Sequence, residues 1–157
     1  MADRKITDLP ALAAVDADDV LAVVDVSATE TKKVTKAVFL AGITSGLYTP
    51  TVAGLTNVQA FTAYECTWMQ IGSTVHVAGR VDIDPTASGD TSWTMTLPVP
   101  NDLTLIGDLA GVAARRSSSD ASPGVIYASV SADAAEFRMY IGTTSATEVY
   151  FGFTYRF

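Results

Sequence analysis

The stretch Val75-His76-Val77-Ala78-Gly79-Arg80-Val81-Asp82-Ile83-Asp84 constrains the fold more than any other part of the chain. Val75, Val77, Val81 and Ile83 share one side of a two-residue period, and His76, Arg80, Asp82 and Asp84 share the other. Successive side chains of a strand point to opposite faces, so this spacing predicts one face against a core and one toward solvent. A helix would scatter the same valines around its axis. The period returns in Trp93, Met95 and Leu97, which alternate with Thr94 and Thr96 and stop at Pro98.

Further strands are expected over residues 63–71, 106–114, 125–130, 136–141 and 148–157, with Gly107 and Gly111 breaking the second of these. Gly72-Ser73 reads as a two-residue hairpin loop. Arg115-Arg116-Ser117-Ser118-Ser119-Asp120, with Pro123-Gly124, reads as an exposed loop. Roughly seven or eight short strands parted by turn signals predict an all-β fold, an antiparallel β-sandwich of the jelly-roll kind over residues 47–157.

Residues 1–41 differ in composition, since Lys5, Lys32, Lys33 and Lys36 are the only lysines of the chain. Residues 5–10 suggest an extended segment, because Pro10 holds Leu9 out of the helical region. Asp16-Ala17-Asp18-Asp19 reads as a turn cluster. Residues 20–26 then read as a β-branched strand, and residues 32–35 as the return strand of a hairpin. Residues 37–41 fit one or two helical turns capped by Thr35. About 40 residues with two short strands cannot bury a sizeable core, so this module must lean on sister subunits or a larger assembly. Gly42-Ile43-Thr44-Ser45-Gly46 is expected to be a linker between the two parts.

Charge narrows the partners. Ten Lys and Arg against 17 Asp and Glu leave the 157-residue chain at −7, which disfavours a nucleic-acid partner. Charged residues are only 17% of the chain, against about 25% in a typical soluble domain. The surface is therefore rich in Ser, Thr and Ala, and part of it is expected to be buried between copies of the chain. The apolar run over residues 20–24 is far short of the roughly 20 residues of a membrane-spanning helix, and the N-terminus lacks the apolar stretch of a secretory signal. The aromatic C-terminal segment, residues 149–157, reads as a core strand, with Tyr150 turned toward a neighbouring subunit. No membrane insertion is expected.

Reactive chemistry is sparse. A single Cys66 and a single His76 leave no thiolate-rich zinc site and no cysteine–histidine constellation. Cys66 alternates with Trp68 and fits a small core residue. Asp82, Asp84, Ser88 and Asp90 are rich in oxygen, but their spacing departs from the EF-hand loop, so no metal site is assigned. No nucleophile elbow or phosphate cradle is present, and neither a catalytic residue nor a cofactor is expected. Trp68, Trp93, Tyr64, Tyr127 and Tyr140 are candidates by residue type for stacking on sugar rings.

Lys5-Ile6-Thr7-Asp8-Leu9-Pro10, then Asp18-Asp19-Val20-Leu21-Ala22-Val23-Val24-Asp25, then Thr31-Lys32-Lys33-Val34-Thr35, in this order, resemble a recurrent N-terminal module of tailed-bacteriophage fibres, spikes and head fibres. More loosely, Tyr48-Thr49-Pro50-Thr51, residues 71–79 and Leu97-Pro98-Val99-Pro100 resemble phrases of phage β-sandwich domains. The resemblance implies a homotrimeric virion protein whose residues 1–41 anchor to other virion proteins and whose sandwich contacts a host surface glycan or protein. Val20, Leu21, Val23, Val24, Val34, Val38, Phe39 and Leu40 would supply the anchoring and oligomer contacts. Long fibres carry a repetitive shaft between anchor and tip, and none is present here. The alternative expectation is therefore a capsid decoration protein that covers or cements the shell.

Overall fold

A computed structural model of the chain describes residues 20–25, 30–35, 40–116 and 122–156. The chain divides into two compact units between Ala41 and Gly42. In the first, strands β1 (Val20–Asp25) and β2 (Glu30–Thr35) pair antiparallel, with Leu21 opposite Val34. Residues 5–10, 16–19 and 37–39, and residues 117–120 of the expected loop, lie outside the described residues. Leu40 and Ala41 form a turn.

The second unit is all-β and antiparallel, and its strands form one ten-stranded sheet. They are β3 (Ile43–Tyr48), β4 (Val52–Thr56), β5 (Val58–Ala63), β6 (Cys66–Ile71), β7 (Thr74–Pro85) and β8 (Gly89–Thr96), followed by β9 (Leu109–Arg115), β10 (Pro123–Ser129), β11 (Ala134–Ile141) and β12 (Thr147–Arg156). Their order across the sheet is β3-β6-β7-β12-β9-β10-β11-β8-β4, and β5 joins the edge of β7 beyond β6. Consecutive strands β4 and β5 thus lie at opposite ends of the sheet, which must curl to bring its ends together.

Asn57 sits at that corner with φ +57°, a left-handed conformation asparagine tolerates better than most residues. Register shifts flank it, between Ala53 and Thr56 on one side and between Val58 and Ala60 on the other. The curl is also visible in the core. Phe137 on β11 meets Phe151 edge-on at 5.2 Å although two strands separate them in the sheet. Trp93 stacks on Phe137 at 4.9 Å, and Phe61 of β5 reaches Trp93 at 5.9 Å.

The alternation in β7 falls as its spacing requires: Val75, Val77, Val81 and Ile83 are fully buried. Trp93 and Met95 are buried too, as are Val149, Phe151, Phe153 and Tyr155 of β12. Cys66 is a buried free thiol in this core. It packs tightly against the bare backbone of Gly79, where a Cβ would collide with the Cys66 thiol and lie 2.9 Å from the Phe151 ring.

Several expectations need correction. The expected linker 42–46 is largely strand: Ile43 through Tyr48 pairs with β6, Ile43 lying opposite Ile71. Residues 63–71 are not one strand, because the chain leaves β5 at Ala63 and re-enters the sheet at Cys66. Gly111 does not break β9, since the bare backbone there lets Phe153 and Gly152 of β12 approach closely. Arg115 is no loop residue, being the buried last residue of β9, opposite Val149. Pro123 and Gly124 open β10 rather than continuing a loop. Residues 43–63, of which 43–46 are expected as linker and 52–62 carry no strand signal, supply three strands. Gly72-Ser73 does join β6 to β7.

Candidate functional site

The outer side of the curled sheet divides into three regions of different chemistry. The first is polar and satisfies itself. Arg80 on β7 lies 4.1 Å over the ring of Tyr64 and 3.3 Å from Glu148 Oε1, while Arg116 donates to Glu148 Oε2 at 3.0 Å. Tyr150 donates to the same oxygen at 3.1 Å, and Tyr64 donates to Asp82 Oδ2 at 2.7 Å. Hydrogen bonds from Arg116 and then from Tyr150 hold the Glu148 carboxyl below its usual range. With each charge facing an opposite one, this region has little left to offer a charged partner.

The second region is apolar and lies at the β3 end. Ile43 and Leu47 on β3, with Met69 and Ile71 on β6, are all exposed, Leu47 by 61%. Strand β3 is a sheet edge and contains no charged residue, whereas exposed edges are commonly guarded by lysine or proline. Exposed apolar side chains in such a cluster mark a contact surface.

The third region is an open groove of about 630 Å³ across β4, β8, β11 and β10. It is lined by Thr56, Asp90, Ser92, Val125, Arg138 and Tyr140, among others. The strand alternation puts these side chains outside: Thr91, Trp93 and Met95 of β8 are buried, as are Phe137, Met139 and Ile141 of β11. The register sets Asp90 opposite Tyr140, and Ser92 opposite Arg138. Arg138 is not free, because its Nε and a terminal nitrogen each lie 2.9 Å from Glu136 Oε1. The Asp90 carboxylate makes no hydrogen bond or ion pair among the described residues.

The aromatic candidates separate cleanly by environment. Trp93 is fully buried against Phe137 and cannot meet a ligand. Trp68 is half-buried over Gly46, where an added Cβ would stand 2.9 Å from its Nε1. Tyr64 is covered by Arg80, and Tyr127 has the Arg138 guanidinium 5.6 Å from its ring centre. Tyr140 alone of the five combines 52% exposure with a groove, its hydroxyl 3.3 Å from Ser88 Oγ.

Of the residues expected to anchor the chain, Val20, Leu21, Val23 and Val24 lie on β1 and Val34 is half-buried on β2. Leu40 is exposed in a turn, and Val38 and Phe39 lie outside the described residues. Asp82 and Asp84 sit on β7 while Ser88 lies in the following turn and Asp90 lines the groove. Among the described residues no group of three or more His, Cys, Asp or Glu side chains is placed to hold a metal ion. His76 pairs with Thr154 across the strands, its Nδ1 3.1 Å from the threonine hydroxyl. Reading the sequence misses the β3–β6 apolar face, because Ile43 falls in the segment 42–46, whose glycines and serine look like a linker that stops short of Leu47.

No protein-family model matches this chain, and no curated protein matches it.

Proposed function

We propose that this chain is a non-enzymatic structural protein of a tailed-phage virion, anchored through residues 1–41 and presenting its sheet unit to the host surface. The observation that carries the assembly part is the uncharged β3 edge with Ile43, Leu47, Met69 and Ile71 exposed beside it. Such a face is stable in water when another copy of the chain covers it, and three copies around an axis are the arrangement the N-terminal resemblance implies. The order of the segments Lys5–Pro10, Asp18–Asp25 and Thr31–Thr35 supports the virion setting.

A specific observation favours capsid decoration as a second reading. Strand β3 begins at Ile43, directly after the N-terminal unit, which leaves no room for a shaft. Cryo-electron microscopy of the intact particle, with the chain located and counted, tests both. A few trimers at the tail support the host-contacting reading. Tens to hundreds of chains spread over the shell support decoration, and particles without the chain sink both. Deleting residues 1–41 should leave a folded sheet unit that no longer joins particles; incorporation of the truncated chain would refute the anchor.

A further inference from the structure

The groove across β4, β8, β11 and β10 joins an exposed aromatic ring, Tyr140, to the Asp90 carboxylate, which has no partner among the described residues. We propose that it binds an uncharged oligosaccharide, with Tyr140 as the stacking platform and Asp90 as the acceptor for sugar hydroxyls. The inference deepens the reading of a sheet unit turned toward the host surface and rests on it for its setting.

The chemistry is specific in three ways. A sugar ring presents axial C–H groups on one face and hydroxyls around its rim, which suits an aromatic ring bordered by polar groups. Tyr140 supplies the ring, the Asp90 carboxylate accepts from hydroxyls, and Ser92 and Thr56 can both donate and accept. Val125, 57% exposed, adds an apolar side chain to the groove lining opposite Arg138. The cavity of about 630 Å³ lies within the roughly 300–1,000 Å³ of small-ligand sites, and its open ends suit a chain rather than a closed monosaccharide pocket.

Charge selects against acidic glycans. The Arg138 guanidinium is paired with Glu136 through Nε and a terminal nitrogen, so its charge is already matched before a ligand arrives. Asp90 adds an unpaired negative charge, and the whole chain stands at −7. An acidic sugar entering this groove would meet the Asp90 charge beside an Arg138 already paired with Glu136.

The test is calorimetric and NMR titration of the full chain with maltohexaose, mannohexaose and isomaltohexaose as neutral probes and hexagalacturonate as the acidic one. At least one neutral hexaose should saturate, shifting the amides of residues 90–92 and 138–140. Its affinity should change less than about twofold between low and high salt, because no ion pair forms on binding. Tyr140→Ala and Asp90→Asn should each weaken it about tenfold or more, with unaltered thermal unfolding, while Tyr140→Phe keeps most of the affinity. Failure of every neutral hexaose to saturate overturns the proposal, as does tighter binding of hexagalacturonate or wild-type affinity in both variants. Saturation by a neutral hexaose in a chain that particles lack would leave the groove standing and overturn the virion reading. A chain counted on particles that binds no hexaose would do the reverse.

Discussion

The Asn57 carboxamide grips the peptide groups of Ala87 from both sides: Nδ2 donates to the Ala87 carbonyl at 2.8 Å, and Oδ1 accepts from the Ala87 N–H at 2.9 Å. Nδ2 also donates to the buried Thr91 hydroxyl at 3.1 Å. One side chain thereby ties the β4–β5 corner to the β7–β8 turn, where the two ends of the sheet come together. Asn57→Ala should cost about 2–4 kcal/mol, combining lost hydrogen bonds with the left-handed backbone. Asn57→Gly should cost about 1–2 kcal/mol less than that, since glycine accepts the positive φ freely. Urea unfolding of the two variants checks the difference; equal losses would mean that the backbone conformation contributes nothing.

Two tyrosines with buried hydroxyls should respond differently to removal of the hydroxyl. Tyr155 donates to the Val99 carbonyl at 2.7 Å and accepts from the Val99 N–H at 3.0 Å. Tyr48 buries its hydroxyl with no hydrogen-bond partner among the described residues. Tyr155→Phe should destabilise by about 1–3 kcal/mol, and Tyr48→Phe should be neutral or slightly stabilising. Thermal unfolding of both variants decides the point, and similar losses would contradict it.

Alkaline pH should loosen the contact between Tyr155 and Val99. Burial pushes the Tyr155 phenol up to about 12 from its ordinary 10.0. A raised folded-state value means its stabilising contribution is complete below the unfolded value of 10.0 and is lost as pH rises toward about 12. Phenolate absorbance should appear together with unfolding in that window, and Tyr155→Phe should flatten the pH dependence there. An unchanged profile in the variant would assign the alkaline loss elsewhere.

Acid should act through Asp108 and Glu148. Backbone N–H groups of Leu105 and then Thr104 hold the Asp108 carboxyl low, with Oδ2 accepting from them at 2.7 and 2.9 Å. Arg116 and then Tyr150 do the same for Glu148. A lowered folded-state value means stability present above the unfolded pKa and lost as pH falls through the folded one. Asp108→Asn and Glu148→Gln should each show a shallower acid limb in unfolding measurements, with Asp108→Asn also releasing the short 3-10 turn at Ile106–Asp108. Acid limbs as steep as wild type would refute the assignment.

The apolar edge yields a prediction about mass. Ile43→Lys with Leu47→Lys should shift the chain toward monomer in analytical ultracentrifugation while changing monomer stability by no more than about 0.5 kcal/mol, as exposed positions usually do. A wild-type chain that already sediments as a monomer would rule out that face as a subunit contact.

The strands legible in the sequence are those whose inner face is apolar at every second position. Val75 through Ile83 and Val149 through Tyr155 report their burial directly, because each buries one face and wets the other. Strands β3, β4 and β5 are not legible. They carry Gly46, Gly54 and register shifts around Asn57, and they pair with β6, β8 and β7 rather than with their neighbours in sequence. The candidate groove is legible only by residue type: Tyr140 can be named among five aromatics, but its separation from buried Trp93 and covered Tyr64 depends on contacts between distant strands. Asp90 gives a similar lesson, since its neighbours in sequence suggest a calcium loop while its neighbours in space form the groove wall.

Strand β12 runs near the chain's C-terminal end yet occupies the middle of the sheet, between β7 and β9. During synthesis, everything before Thr147 can therefore form only two partial sheets, each with an open central edge and half a core. The strand of this unit made last is the one that welds them, so folding of the unit must wait for nearly all of it to leave the ribosome. Until then both open edges are free to pair with the wrong chain, and neighbouring nascent copies on one message are the nearest candidates.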